Sequence, residues 1–414
     1  MAHPETRTSS KSARSSTSTG NEDTDPLDTL QPKIVELCHS VGLGLPIALE
    51  EMESGTYNRV LSLNFDTSDN NACVIRIPHY AMEDEVDTIK DQVALLNFLA
   101  LRLPVARVIS YDAGITNPIS SQYTIQTRIP GLPISKVYRD LSVEERLQIV
   151  DGVVTTIFQI DSVRFSTAGR LAARSSYPES SCNTSAIENS VELKPFRLGL
   201  IESSAEVPAS TAIFLKDLIF SMIDAWAIED AEAPPLSGLQ AKWKNLKNIA
   251  EDMAAMGMLD SANDDNMLWH WDFFARNILV EKQDNIWSIR GVIDWDSAIS
   301  VPRVLSRCPP AWLWRYHDNP SGWDGDYDDL PPRDFTDEES LIKRRFDEGM
   351  AHVQHGSGTY LSHAYGVGVW VRRLARFALK GFGDSQDWKR YDVFVEEWEK
   401  VCRERTSSRL GPQV

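Results

Sequence analysis

The stretch Leu268-Trp269-His270-Trp271-Asp272-Phe273-Phe274-Ala275-Arg276-Asn277-Ile278-Leu279-Val280 runs H-x-D-x-x-x-x-N into an apolar strand. A second apolar run, Gly291-Val292-Ile293, ends in Asp294-Trp295-Asp296. Between them, Ile278–Lys282 and Ile286–Asp294 read as two strands around the turn Gln283-Asp284-Asn285. One carboxylate ahead of the hairpin can orient a hydroxyl or amine. An amide at its start and a second carboxylate at its end can hold Mg²⁺ on a nucleotide. Phosphoryl transfer of the kinase type needs that set, because most of its catalysis is positioning and charge neutralisation. Asp272 is therefore the candidate catalytic group, and Asn277 and Asp294 are the candidate Mg²⁺ ligands. Each alone would pass for an ordinary turn residue; the spacing and the intervening hairpin carry the reading. His270 is expected to bond the loop backbone. Asp296 either touches a second metal position or the substrate, or caps the next segment.

Upstream, Tyr57–Phe65 and Ala72–Ile77 read as strands joined by a polar turn, and Val86–Leu103 carries apolar residues at helical spacing until Pro104. Val105–Tyr111 and Tyr123–Thr127 follow as strands. With a short helix over Ile34–Leu43, this order predicts an α+β nucleotide-binding lobe over residues 27–128. Arg76 is the only cation in the strand Cys73–Ile77 and can clamp phosphate oxygens with both arms of its fork. Ser54, Gly55 and Thr56, ahead of the first strand, can offer backbone N–H groups to phosphates. Gln92 is the expected hydrogen-bond partner of Arg76, with Asp91 or one of Glu83, Asp84 and Glu85 as alternatives that carry charge. The base would lie against Gln126-Thr127-Arg128-Ile129, just before Pro130-Gly131 breaks the pattern.

Residues 129–414 then read as a mainly helical lobe, with helices near 142–161, 211–230, 238–256, 337–354, 360–380 and 387–404. Residues 165–210 have little periodicity and are expected to form a loop or insertion. Residues 1–26, rich in Ser, Thr and charge, predict a disordered tail.

The formal net charge of −18 argues against nucleic-acid and anionic-membrane partners and would suit a cationic amine as acceptor, although solubility alone also explains it. No apolar run reaches the length of a membrane span. The cysteines are scattered and form no CxxC pair, which points to free thiols in a cytoplasmic setting. The acidic run Trp323–Asp329 lacks the glycine and closing glutamate of a Ca²⁺ loop. There is no G-x-x-x-x-G-K-[ST] loop.

The strand carrying Arg76, Gln92-Val93-Ala94, Ile129-Pro130-Gly131, His270-Trp271-Asp272 through Asn277, and Ile293-Asp294-Trp295 together resemble the aminoglycoside phosphotransferase and choline-kinase-like group. The resemblance runs roughly from Tyr57 to Trp314. It implies a two-lobed protein-kinase-like fold, ATP and Mg²⁺ as cofactors, and a small-molecule acceptor between the 270–277 loop and the C-terminal helices. Trp271, Arg76 in place of lysine and Gln92 in place of glutamate depart from the group's pattern. Gln92 motivates a second reading, a nucleotide-binding pseudokinase acting as a binding or scaffold module. The acceptor stays open.

Overall fold

The computed structural model describes residues 26–52, 57–66, 72–79, 86–182, 190–196, 215–232, 238–260, 266–318, 327–330, 332–353, 359–383 and 385–409. The expected tail, the Ser54–Thr56 loop and Glu83–Glu85 lie outside them.

The N-terminal lobe opens with α1 (Leu27–Ser40), which starts ahead of the expected Ile34 and carries Pro32 within it. Its face Leu30, Ile34, Leu37 and Cys38 is buried against Leu61, Leu63, Ile75 and Ile125 of a sheet. That sheet contains β1 (Pro46–Glu51), β2 (Asn58–Phe65) and β3 (Cys73–Pro78), followed after helix α2 (Val86–Leu99) by β4 (Val108–Asp112) and β5 (Tyr123–Thr127). β1 is a half-exposed edge strand without clean alternation, so the sequence does not announce it. Along β3, Cys73, Ile75 and Ile77 are buried while Val74, Arg76 and Pro78 alternate to the other face. The two-residue period of a strand therefore turns Arg76 away from the α1 core.

The chain crosses to the second lobe through β6 (Leu132–Pro133), α3 (Ile134–Val137) and α4 (Val143–Asp161). Gly131 has φ +98, and a Cβ built on it would stand 2.3 Å from the Val280 carbonyl oxygen. Only glycine lets the chain pass there. α4 starts at Ser142, whose side chain and that of Glu145 cap each other's backbone N–H groups.

Residues 165–210 are not simply a loop. Four strands lie at or within this region: β7 (Arg164–Phe165), β8 (Gly169–Ala173), β9 (Ser180–Cys182) and β10 (Val191–Lys194). They are short, and three of the four pair with strands far away in sequence, so local periodicity could not reveal them. β9 extends the N-terminal sheet to the order β1-β2-β3-β5-β4-β9. Asp91 on α2 meets Arg170 and accepts from the Ala173 N–H at 2.7 Å, and Asn97 donates to the Tyr177 hydroxyl at 2.6 Å. The segment thus pins α2.

Next come α5 (Leu215–Glu232), α6 (Leu239–Ala255), β11 (Asn266–Trp269), β12 (Ile278–Gln283), β13 (Ile286–Val292), β14 (Ile299–Pro302) and α7 (Arg303–Ser306). β12 and β13 form the expected hairpin. Asp284 and Asn285, at φ +50 and +63, make its two-residue turn. A second sheet, β10-β8-β14-β11-β7, lies beneath the 270–277 loop. The chain ends in α8 (Asp337–Val353), α9 (Thr359–Tyr365), α10 (Val367–Lys380) and α11 (Ser385–Arg409). Leu246, Trp243, Phe377 and Phe394 centre a core shared by α5, α6, α10 and α11. Among the described residues, no helix is long and apolar enough to cross a membrane.

Candidate active site

β11 delivers the chain to His270, and β12 carries it away from Asn277. His270 is buried between them, with its ring 4.6 Å from that of Trp295. The Asp272 N–H donates to His270 Nδ1 at 3.2 Å, so Nδ1 carries no proton. Nε2 must then hold the ring proton and donates it to the Ile293 carbonyl at 2.9 Å. Burial pushes the His270 pKa down, which keeps the ring neutral and suits this assignment. The Ile293 N–H in turn donates to the Asn277 carbonyl at 2.9 Å. One imidazole and one backbone bond thus fix the loop bearing Asp272 and Asn277 to the segment bearing Asp294.

Asn277 is buried and oriented. Its Nδ2 donates to the Asp272 carbonyl oxygen at 3.0 Å and to Asp272 Oδ2 at 2.7 Å. With the amide nitrogen turned to Asp272, its oxygen is directed elsewhere as a hard acceptor. Arg276, which the sequence reading passed over, also reaches Asp272. Its Nη2 lies 2.6 Å from Oδ1 and 2.7 Å from Oδ2. The signal was available as i,i+4 spacing of opposite charges on a tight loop.

Asp294 stands at φ +64, a left-handed conformation uncommon outside glycine but tolerated by aspartate. Its side chain is 47% exposed toward the cleft. Even so, surrounding protein first, then the charges of Asp296 and Asp272, push its carboxyl up to about 6 against the opposing Arg76 and Arg276.

Arg76 enters from β3. Its Nη2 is 2.5 Å from Asp296 Oδ2 and 3.6 Å from Asp294 Oδ1, while Nη1 donates to Asp296 Oδ1 at 3.2 Å. Burial works against the guanidinium charge, but Asp296 and then Asp294 outweigh it and the pKa is raised. The expected partnership with Gln92 is not formed, and Asp91 is engaged with Arg170 and Ala173. The physical reason is direction: α2 turns Asp91 toward Arg170 and Ala173, whereas Asp296 reaches Arg76 from beyond the hairpin.

The residues expected around the base are placed at the lobe junction. The Gln126 side chain donates to Thr124 Oγ1 at 3.1 Å, and Arg128 Nη1 donates to Ser62 Oγ at 3.0 Å. The Thr127 and Arg128 N–H groups are held by the Arg107 and Ala72 carbonyls at 2.8 and 2.9 Å. Against the 268–274 stretch lies a cavity of about 70 Å³, walled by Trp271, Phe273, Arg307, Trp312 and Tyr360. At its edge Arg307 Nη2 pairs with Asp161 Oδ2 at 2.8 Å.

This architecture, an antiparallel sheet lobe above a mainly helical lobe with charged loops between them, is a two-lobed protein-kinase-like fold. The Plasmodium vivax ethanolamine kinase structure shares it, with a TM-score of 0.50 at 12% identity over 91% of this chain and 90% of that one. A thermostable variant of aminoglycoside phosphotransferase APH(4)-Ia, solved with AMP-PNP and hygromycin B, aligns over 88% of this chain and 98% of its own at 16% identity and TM-score 0.47. The profile of the phosphotransferase enzyme family APH matches residues 49–304, more than half of the sequence, and the chain belongs to that family. Among curated proteins, it is 30% identical over 114 residues to the mitochondrial "altered inheritance of mitochondria protein 9" of Candida glabrata. It is 26% identical over 125 residues to a subtelomeric hrmA-associated cluster protein of Aspergillus fumigatus. Those matches span only 18% and 24% of the relatives' own lengths.

Proposed function

We propose that this protein is an ATP- and Mg²⁺-dependent phosphotransferase that moves the γ-phosphate to a hydroxyl of a small molecule. The observation that carries this reading is the His270 bridge. It joins the backbones of Asp272 and Ile293, so Asp272, Asn277 and Asp294 belong to one hydrogen-bonded unit facing Arg76.

In this reading Asp272 accepts a hydrogen bond from the acceptor hydroxyl and aims it at phosphorus. Arg76, fixed by Asp296, offers charge to the phosphates. Ser54, Gly55 and Thr56 would cover them. Because the Thr127 and Arg128 N–H groups are already engaged, the Ile129 N–H is the next one along that a base edge could use. The donor set suits Mg²⁺: an oriented amide oxygen from Asn277 and a carboxylate from Asp294 that also faces the charges of Asp296 and Asp272. Mg²⁺ commonly takes one or two carboxylates and completes its shell with phosphates and water. Among the described residues, no group of three His, Cys, Asp or Glu side chains forms a fuller cage. Bound there, the ion would neutralise charge on the β- and γ-phosphates. The aromatic cavity beside the loop is the candidate wall for the acceptor, and a cationic amine would suit the acidic balance of the chain as a whole. Cys38, Cys73, Cys308 and Cys402 are free thiols among the described residues, as a reducing compartment such as the cytoplasm would keep them.

Gln92 would favour a nucleotide-binding module without turnover, since it brings no charge to Arg76. Asp296 supplies that charge instead, which weakens this second reading. Incubating the purified protein with ATP, Mg²⁺ and a panel of small hydroxylated amines separates the two. Asp272→Ala and Asp294→Ala should each lower turnover by about 10³-fold with melting behaviour preserved. Normal turnover by both variants sinks the proposal.

A further inference from the structure

Arg276 is the one cation on the 270–277 loop, and it stands on the carboxylate assigned to the acceptor. A single nitrogen, Nη2, bridges both Asp272 oxygens at 2.6 and 2.7 Å, and Asn277 takes a further position on Oδ2 at 2.7 Å. A carboxylate offers roughly four lone-pair sites, so three are in use. An acceptor hydroxyl approaching Asp272 meets a base that is already hydrogen-bonded and charge-neutralised.

The two arginines of the site engage their carboxylates differently. Arg76 and Asp296 are 16% and 19% exposed and joined at both arms of the fork. Arg276 and Asp272 are 40% and 24% exposed and joined through one nitrogen. An ion pair as exposed as this contributes little stability of its own. The Arg276 guanidinium also lies 5.1 Å from the centre of the Phe274 ring, a surface along which it can turn without losing all its contacts. Arg276 is the immediate neighbour of Asn277, which the reading above assigns to Mg²⁺. Asp272, Asp294 and Asp296 against Arg76 and Arg276 leave the site with one net negative charge when all are ionised. A triphosphate needs every available cation. A γ-phosphate, with more charge and more acceptor oxygens than a carboxylate, is the stronger claimant on a guanidinium.

We infer that Arg276 is a phosphate-contacting residue that leaves Asp272 for the γ-phosphate, so that Asp272 is released to the acceptor hydroxyl only once a triphosphate is in place. This rests on the phosphotransferase reading above. In the transfer itself the acceptor oxygen bonds to the γ-phosphorus, and the bond from that phosphorus to the β,γ-bridging oxygen breaks. ADP leaves with the electron pair. The hydroxyl proton passes to Asp272 and from there to solvent. Arg276 takes no proton; it neutralises charge that the triphosphate brings and the diphosphate lacks.

The test compares the full-length chain with Arg276→Ala, Arg276→Gln and Arg276→Lys in Mg²⁺. Binding of a non-hydrolysable ATP analogue and of ADP is measured by calorimetry, and ATP consumption is followed with and without the acceptor panel. The alanine and glutamine variants should lose about tenfold in affinity for the ATP analogue with ADP affinity unchanged, because one charge-assisted phosphate contact is gone. Their turnover should fall about 100-fold. Lysine should restore part of the ATP-over-ADP preference, which a purely structural role would not do. Glutamine keeps a polar side chain on the loop and guards against a folding defect in the alanine variant. If wild type binds both nucleotides and the folded variants keep its ATP-to-ADP ratio, Arg276 is only a loop brace and the inference fails alone. If wild type binds neither nucleotide, both readings fall.

Discussion

Arg76 and Asp296 lie 220 positions apart, yet they form the most fully engaged ion pair of the site. The sequence places a cation on β3 by simple alternation, but it offers several acidic candidates for its partner. Removing Arg76 leaves Asp296 facing Asp294 with no cation between them, an arrangement that burial makes costly. Arg76→Ala should destabilise the fold by about 2 kcal/mol. Gln92→Ala, with no bond to Arg76 to lose, should fall within about 0.5 kcal/mol of wild type. Urea midpoints of the two variants decide the matter; equal losses would mean that Arg76 answers to α2 after all. His270 teaches the same lesson at closer range. Its place two residues before Asp272 is plain in the sequence, but its tautomer follows only from which backbone groups stand at either ring nitrogen.

Among the elements, α8 shows how a helix start can be read and why its strength cannot. Thr336 and Glu339 stand at N-cap and N3 spacing. The Thr336 N–H donates to Glu339 Oε2 at 2.9 Å, and the Glu339 N–H donates to Thr336 Oγ1 at 3.2 Å. Arg333 adds a fork, with Nη1 and Nη2 at 2.9 and 2.7 Å from the Glu339 oxygens and further bonds to Asp318. The Arg333 hydrogen bond, assisted by the Thr336 N–H, holds the Glu339 carboxyl below its ordinary value of 4.5 despite burial. A carboxyl whose pKa is depressed by folding contributes stability above its ordinary pKa and loses it as pH falls through the depressed value. Glu339→Gln should therefore cost about 1–2 kcal/mol at pH 7. The gap between variant and wild type should close as the pH is lowered from 4.5 toward acid-stable limits. A gap that persists below that range, measured by urea unfolding at several pH values, would contradict the ion-pair account. The four strands at or within 165–210 show the opposite case. Their sequences are short and bland, and three of them depend on β4, β11 and β14 being present to pair with.

Over the whole molecule, the lobes are stitched by segments that return across the boundary. β9 joins the N-terminal sheet although it lies well past Pro130, and β8 receives Asp91 of α2. In the helical lobe Arg372 plays the binding part. It pairs with Asp328 at 2.7 Å through both Nε and Nη2, both side chains being about 5–6% exposed. It also donates to the backbone carbonyls of Arg307, His363 and Ala364. One guanidinium thus links the end of α7, α9, α10 and the turn at 327–329. Arg372→Met would strand a buried carboxylate and three carbonyls, and about 3–5 kcal/mol of global stability should go with it. Arg372→Met combined with Asp328→Leu should recover a substantial part, since the unpaired charge is then absent. Thermal and urea unfolding of the single and double variants would show whether the pair or the backbone bonds carry the tie.

What the sequence by itself determined is local chemistry. The H-x-D-x-x-x-x-N run, the hairpin with its Asp-Asn turn, the aspartate beyond it and the arginine alternating outward on β3 all follow from spacing within a few residues. Periods of two and 3.6 are written into any such stretch. Tertiary structure alone decided which carboxylate Arg76 would find, how the strands around 165–210 would pair, and which protein groups would press Asp294 toward protonation. Those outcomes depend on surfaces brought together across hundreds of positions, where loop closure, burial and charge compete and no short-range pattern reports the winner.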